Sequence, residues 1–223
     1  MRAASHWTIK NRLILRTVLC LGFSFMLRSS EFLSRGGSGW DLGKVLRPRD
    51  IELRCDGRRL EEGEYHLANE VSIFLRQSKS DQYNEGCVLT HHAASNNNID
   101  LCVVRALRDL AMAAPQRWQD DRDLPLSRWE DGTPVTRTQI RGLLAQAGVE
   151  QGLDVEVVGV HSLRAGGASA LFQASGGNKP LVQRLGRWAS EAFSGYIWED
   201  RALTKGLANA MLDAPCSAHA GAY

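Results

Sequence analysis

Residues 8–27 contain no proline, and their apolar positions begin as one face and become nearly all-round toward residue 27. Such a run reads as a helix that starts at the surface and ends buried. Arg35-Gly36-Gly37-Ser38-Gly39 breaks the pattern. The period then shortens to two. Residues 49–54 begin a strand, Asp56-Gly57 and Glu61-Glu62-Gly63 mark turns, residues 71–77 alternate, and residues 87–91 return after a polar tip at 78–86. Helical spacing resumes over 101–112 and stops before Pro115. Thr136 caps a helix to about 147, His161 opens the next, Gly176-Gly177 breaks it, and 181–185 form a short helix. Ser190 starts a helix carrying Tyr196, and Leu203, Leu207, Ala210 and Met211 stripe a last one over 203–212. Ala165-Gly166-Gly167-Ala168 permits a second backbone to come close. Residues 116–132, rich in Asp and Arg, read as a solvated loop. The sum is an α+β chain, mainly α-helical, with a small antiparallel sheet and no internal repeat.

A chain of 223 residues, 43% of them hydrophobic, can bury one full core. The net charge of +2 does not by itself announce a nucleic-acid binder. The cations are 22 Arg against 5 Lys; arginine forks suit phosphate, although a GC-rich genome produces the same bias. Five scattered cysteines, none in a Cys-x-x-Cys pair, indicate neither a zinc site nor a disulfide framework and fit a reducing compartment. Arg2, Lys10, Arg12 and Arg16 ahead of the apolar run at 17–27 imitate a signal peptide. That run is too short to span a bilayer, carries no cleavage pattern and ends directly in Arg28-Ser29-Ser30-Glu31. A buried helix delivering Arg28 is the better reading, with no membrane segment.

The chemistry concentrates late in the chain. His161 and Arg164 stand three apart on one helical face, where both can donate to one object. Gly186-Arg187-Trp188 follows, bringing an indole that can only donate. Tyr196 adds a hydroxyl able to act as a covalent nucleophile. Taken singly, each has an ordinary explanation: a capping or core histidine, a packing tryptophan, a half-buried amphipathic tyrosine. Together, three donors and a nucleophile without a carboxylate ligand set suit in-line attack on a phosphodiester with no metal ion.

These residues resemble the catalytic half of the tyrosine recombinase (phage integrase) family: His-x-x-Arg, then Gly-x-His/Trp, then the nucleophilic Tyr. Two further parts of that signature have counterparts in the family's order. Leu27-Arg28-Ser29-Ser30-Glu31 is similar to the first-Arg motif with its acid three residues on. Ser78-Lys79-Ser80, at the tip of the hairpin, is similar to the family's β-hairpin lysine. The wording from Leu185 to Phe193 is nearer to recombinases of eukaryotic mobile elements (Crypton- and DIRS-like) than to bacterial integrases. The likeness extends over about residues 10–200.

The resemblance implies a DNA recombinase or integrase working through a 3′-phosphotyrosyl intermediate, without metal, ATP or other cofactor. Tyr196 would attack, Arg28 and Arg164 would clamp non-bridging oxygens, His161 would accept the tyrosine proton, and Lys79 would protonate the leaving 5′-oxygen. Trp188 would donate to the phosphate from beneath, and Glu31 would orient Arg28. Its partners would be double-stranded DNA and other copies of the chain on that DNA, in a nucleus if eukaryotic and otherwise in cytoplasm or nucleoid, not secreted. Family members usually carry a helical core-binding domain first. Only 27 residues precede Arg28, so one catalytic domain over 1–215 is expected, with a tail at 216–223. A DNA-binding protein that no longer cleaves, and a type IB topoisomerase-like enzyme, are the alternatives.

Overall fold

The computed structural model describes residues 7–36, 39–77, 85–95, 99–154 and 158–197. Helix α1 (Ile9–Ser24) starts where the Thr8 hydroxyl accepts from the Asn11 amide at 3.1 Å, which satisfies one of the orphan donors of the first turn. Its Ile14, Val18 and Leu21 are buried, and it packs on α3 (Val103–Ala113) and α5 (Val160–Ala174). The helix ends three residues before the expected position. Met26 takes a left-handed backbone conformation (φ 48°), which turns the chain into the four-residue helix α2 (Ser29–Phe32). No described helix is long and apolar enough to cross a membrane.

Strands β1 (Ile51–Cys55), β2 (Arg58–Arg59), β3 (Glu70–Leu75) and β4 (Cys87–His92) form one antiparallel sheet in the order β2-β1-β3-β4. Asp56 (φ 50°) and Gly57 (φ 80°) are both left-handed, as the two-residue β1–β2 turn requires. Leu53 stands opposite Val71 and Ile73 opposite Leu89, so the period-two pattern delivers these side chains to the face toward the core. Strand β1 begins at Ile51 rather than at 49, because Pro48–Asp50 form a 3-10 turn whose Asp50 is held by Arg76 at 2.7 Å. The hairpin tip with Lys79 and the helix expected over 203–212 lie outside the described residues.

Residues 116–132 form the expected irregular segment, with Asp120, Arg122 and Asp123 exposed, but part of it is buried. Arg117, Leu126, Ser127 and Arg128 are buried. The Arg117 guanidinium donates to the Leu126 carbonyl at 2.8 Å and the Arg128 carbonyl at 2.7 Å. Burial first, and then Arg128 nearby, lower its pKa to about 10. Charge in the sequence indicated solvent; here the arginine supplies donors that a segment without regular structure cannot find in its own backbone.

Helix α4 (Arg137–Glu150) opens on a reciprocal cap between Thr136 and Gln139. Helix α5, helix α6 (Lys179–Gly186) and a 3-10 turn at Glu191–Tyr196 close the fold around Met26, Ala168, Phe172, Val182 and Phe193. The turn replaces the α-helix expected to begin at Ser190. A Cβ on Gly167 would stand 2.1 Å from the Phe23 carbonyl oxygen, so α1 and α5 meet as closely as they do only because that position is glycine.

Candidate active site

The last four carbonyls of a helix have no partner within it, and α1 has no basic residue in its last turn to meet them. The Phe25 amide meets the Leu21 carbonyl, and side chains from three distant elements meet the Ser24 carbonyl and the two that follow the helix. His91 on β4 donates through Nε2 to the Ser24 carbonyl at 2.8 Å. Arg187, just past α6, donates to the Phe25 carbonyl at 3.1 Å. Arg164 on α5 donates to the Met26 carbonyl. Arg164 also reaches the Gly186 carbonyl at 2.6 Å and so ties the end of α1 to the end of α6.

Arg28 precedes α2 as its N-cap, and its amide donates to Glu31 Oε2 at 2.7 Å. Its guanidinium touches Glu31 Oε1 at 3.3 Å and the Arg187 carbonyl at 3.2 Å. Glu31, 1% exposed, also binds the Arg187 guanidinium at 2.8 Å. Burial lowers the pKa of Arg187, opposed chiefly by the Glu31 charge. Trp188 lies under Arg164, the guanidinium carbon 4.2 Å from the ring centroid, an attractive cation–π placement. It also meets Phe193, 5.8 Å between centroids.

Arg28, His161, Arg164 and Trp188, drawn from residues 28 to 188, line one cleft of about 500 Å³, joined there by Arg137 and Ser190. No acidic side chain among the described residues lines it. His161 has its pKa lowered, by burial first and then by Arg164 and Arg137, so it is neutral near pH 7 and able to accept a proton. A second cleft of about 680 Å³ shares Arg137 and His161 and adds Arg141, Ser162 and Ser169. The two clefts thus adjoin through Arg137 and His161, and each is lined by two or more arginines. The acids Asp121 and Asp123 pair instead with Arg128 and Arg49, outside both clefts.

The backbone turn ending at Tyr196 leaves directly from the rim residue Ser190. The Tyr196 side chain, like Lys79, lies outside the described part of the structure. Two residues of the region, Arg137 and Arg187, were given no role by the sequence. Arg137 carried one usable signal, its position immediately after the Thr136 cap, which projects it from a helix start. Arg187 carried none, because a buried, left-handed arginine (φ 59°) has the same sequence appearance as an exposed one.

No protein-family model and no curated protein matches the chain. Among solved structures, it is similar to the XerH site-specific recombinase bound to palindromic difH substrate in a post-cleavage complex. The TM-score is 0.57 at 17% identity, over 93% of this chain and 48% of that one. The pre-cleavage complex of XerH with difH gives 0.54 at 17%, over 94% and 50%. The likeness is one of fold: this chain has the tyrosine recombinase fold and spans about half the length of those recombinase chains.

Proposed function

We propose that this chain is the catalytic module of a site-specific DNA recombinase that cuts and rejoins DNA through a tyrosine. One observation carries the reading: Arg28, His161, Arg164 and Trp188, drawn from both ends of the chain, meet around a cleft that no acid among the described residues lines, in a fold shared with a recombinase.

In this reading the Tyr196 oxygen attacks the scissile phosphorus. Its proton passes to His161, which is neutral for that purpose. Charge developing on the non-bridging oxygens is met by Arg28 and Arg164, preorganised donors of a kind worth roughly 3 kcal/mol each. The P–O5′ bond breaks as the new bond forms, the 5′-oxygen takes a proton from Lys79, and a 3′-phosphotyrosine remains. Attack by another strand's 5′-hydroxyl reverses the step, so neither metal nor ATP enters. Glu31 orients Arg28, and Arg137 and Arg141 hold flanking phosphates. Strand exchange calls for several copies on one DNA. The Leu185–Phe193 wording supports a mobile-element recombinase, with integration as the outcome.

The test is a pool of nicked duplexes of randomised sequence, which trap the intermediate by losing the 5′-hydroxyl strand. Wild type should give an SDS-stable protein–DNA adduct. Tyr196→Phe should give none while retaining noncovalent binding within about threefold, since a single hydroxyl is removed. Adduct surviving in that variant excludes Tyr196 as nucleophile. Binding without adduct in wild type would favour a protein that holds DNA but does not cut it.

A further inference from the structure

Glu31 is buried and faces two arginines, though one carboxylate balances only one of them. Its Oε2 accepts from Arg187 at 2.8 Å and from the Arg28 amide at 2.7 Å, while Oε1 meets the Arg28 guanidinium at the longer distance of 3.3 Å. The Arg187 side chain is 6% exposed and that of Arg28 is 23% exposed. The buried arginine therefore sits closer to the carboxylate, and the one at the cleft keeps part of its surface open. Arg187 also orients Arg28 through its own backbone, because its carbonyl accepts from Arg28 at 3.2 Å. That carbonyl direction depends on the left-handed conformation after α6 (φ 59°, ψ 47°).

We infer that Arg187 is a positioning residue of the strand-transfer site: it neutralises Glu31 so that the charge of Arg28 remains available to phosphate in the cleft. The inference rests on the recombinase reading for its chemistry, and on the Glu31 hydrogen bonds for its physics. Without the Arg187 cation, Arg28 is the remaining cation beside a carboxylate in a medium of low dielectric. It would be drawn into a neutral pair with Glu31, and its donors would leave the phosphate.

The experiment measures single-turnover adduct formation at saturating protein on the same nicked duplexes. The scissile group is either the ordinary phosphate or a methylphosphonate, which lacks one negative charge. Arg187→Gln should slow the reaction on phosphate by about 100-fold, the scale of a misplaced catalytic group. The deficit should shrink on methylphosphonate, where less charge must be met. Adding Glu31→Gln should restore most of the rate, since no carboxylate then competes for Arg28. A role limited to packing predicts an equal deficit on both substrates and no rescue, and either result overturns the inference. If Arg187→Gln does not fold, Arg187→Lys replaces it; the lysine keeps the charge and should stay within about tenfold of wild type. A lysine variant 100-fold slow on both substrates would overturn the idea as well. Wild type forming no adduct at all would sink the recombinase reading instead. Phenylglyoxal labelling of Arg28 without DNA, read by mass spectrometry, then decides charge sharing by itself: labelling falls in Arg187→Gln if Arg28 is drawn onto Glu31, and unchanged labelling excludes it.

Discussion

At Gly186 a Cβ would stand 1.5 Å from Cζ3 of Trp188. The indole therefore occupies the space that any side chain at 186 would need, and it is this ring that carries Arg164 on its face. Gly186→Ala must move the ring, the end of α6, or both. Overpacking of this kind costs about 1–3 kcal/mol, and the displaced indole no longer supports Arg164. The expected outcome is a lower melting temperature together with slower adduct formation. A variant as stable and as fast as wild type would show that Trp188 does not hold the arginine. The Gly-Arg-Trp string was conspicuous in the sequence as chemistry. Its first residue proves to be a steric requirement of its third, which spacing alone does not reveal.

The element that organises the site is the broken end of α1. The Ser24 carbonyl and those of Phe25 and Met26 just beyond it face His91, Arg187 and Arg164, so the sheet, the end of α6 and α5 all converge on one helix terminus. A carbonyl can only accept, so His91 Nε2 carries the hydrogen, and burial lowers the pKa of this histidine. In the unfolded chain a histidine titrates near 6.5. The unfolded state therefore binds more protons as pH falls below about 6.5, and stability drops through that window until the lower folded pKa is passed. His161 shifts in the same direction and adds to the effect. Thermal denaturation between pH 7.5 and 5 should show the decline, and His91→Gln, which keeps a donor without a titrating group, should flatten it. An unchanged slope in that variant would remove His91 from the account.

At the scale of the molecule, a net charge of +2 conceals a marked separation. Acids at 121 and 123 neutralise arginines elsewhere, whereas Arg28, Arg137, Arg141 and Arg164 gather along two connected clefts. If those clefts hold DNA phosphates, removing one cation that neutralises a phosphate reduces the slope of log K against log salt by about 0.9. Arg141→Ala should lower the slope by about that amount and weaken binding to all duplexes alike. A slope equal to that of wild type would place the DNA path elsewhere. The chain spans about half the length of the recombinases it resembles, so the affinity of this module alone tests only its own share of such a surface.

Local pattern was enough to read the main helices and strands in order, the Thr136 cap and the Asp56-Gly57 turn, because each depends on neighbours within a few residues. His161, Arg164 and Trp188 stood out by type and local spacing and Arg28 through the family resemblance, and the four line one cleft. What only the tertiary structure decided depends on partners far apart in sequence. The early end of α1, the burial of Arg117 in a segment that reads as solvated, and the 3-10 form of the turn after Ser190 belong here. So does the pairing of Glu31 with Arg187, 156 positions away. Whether an arginine faces water or a buried carboxylate is set by the three-dimensional supply of acceptors and not by its neighbours in the chain.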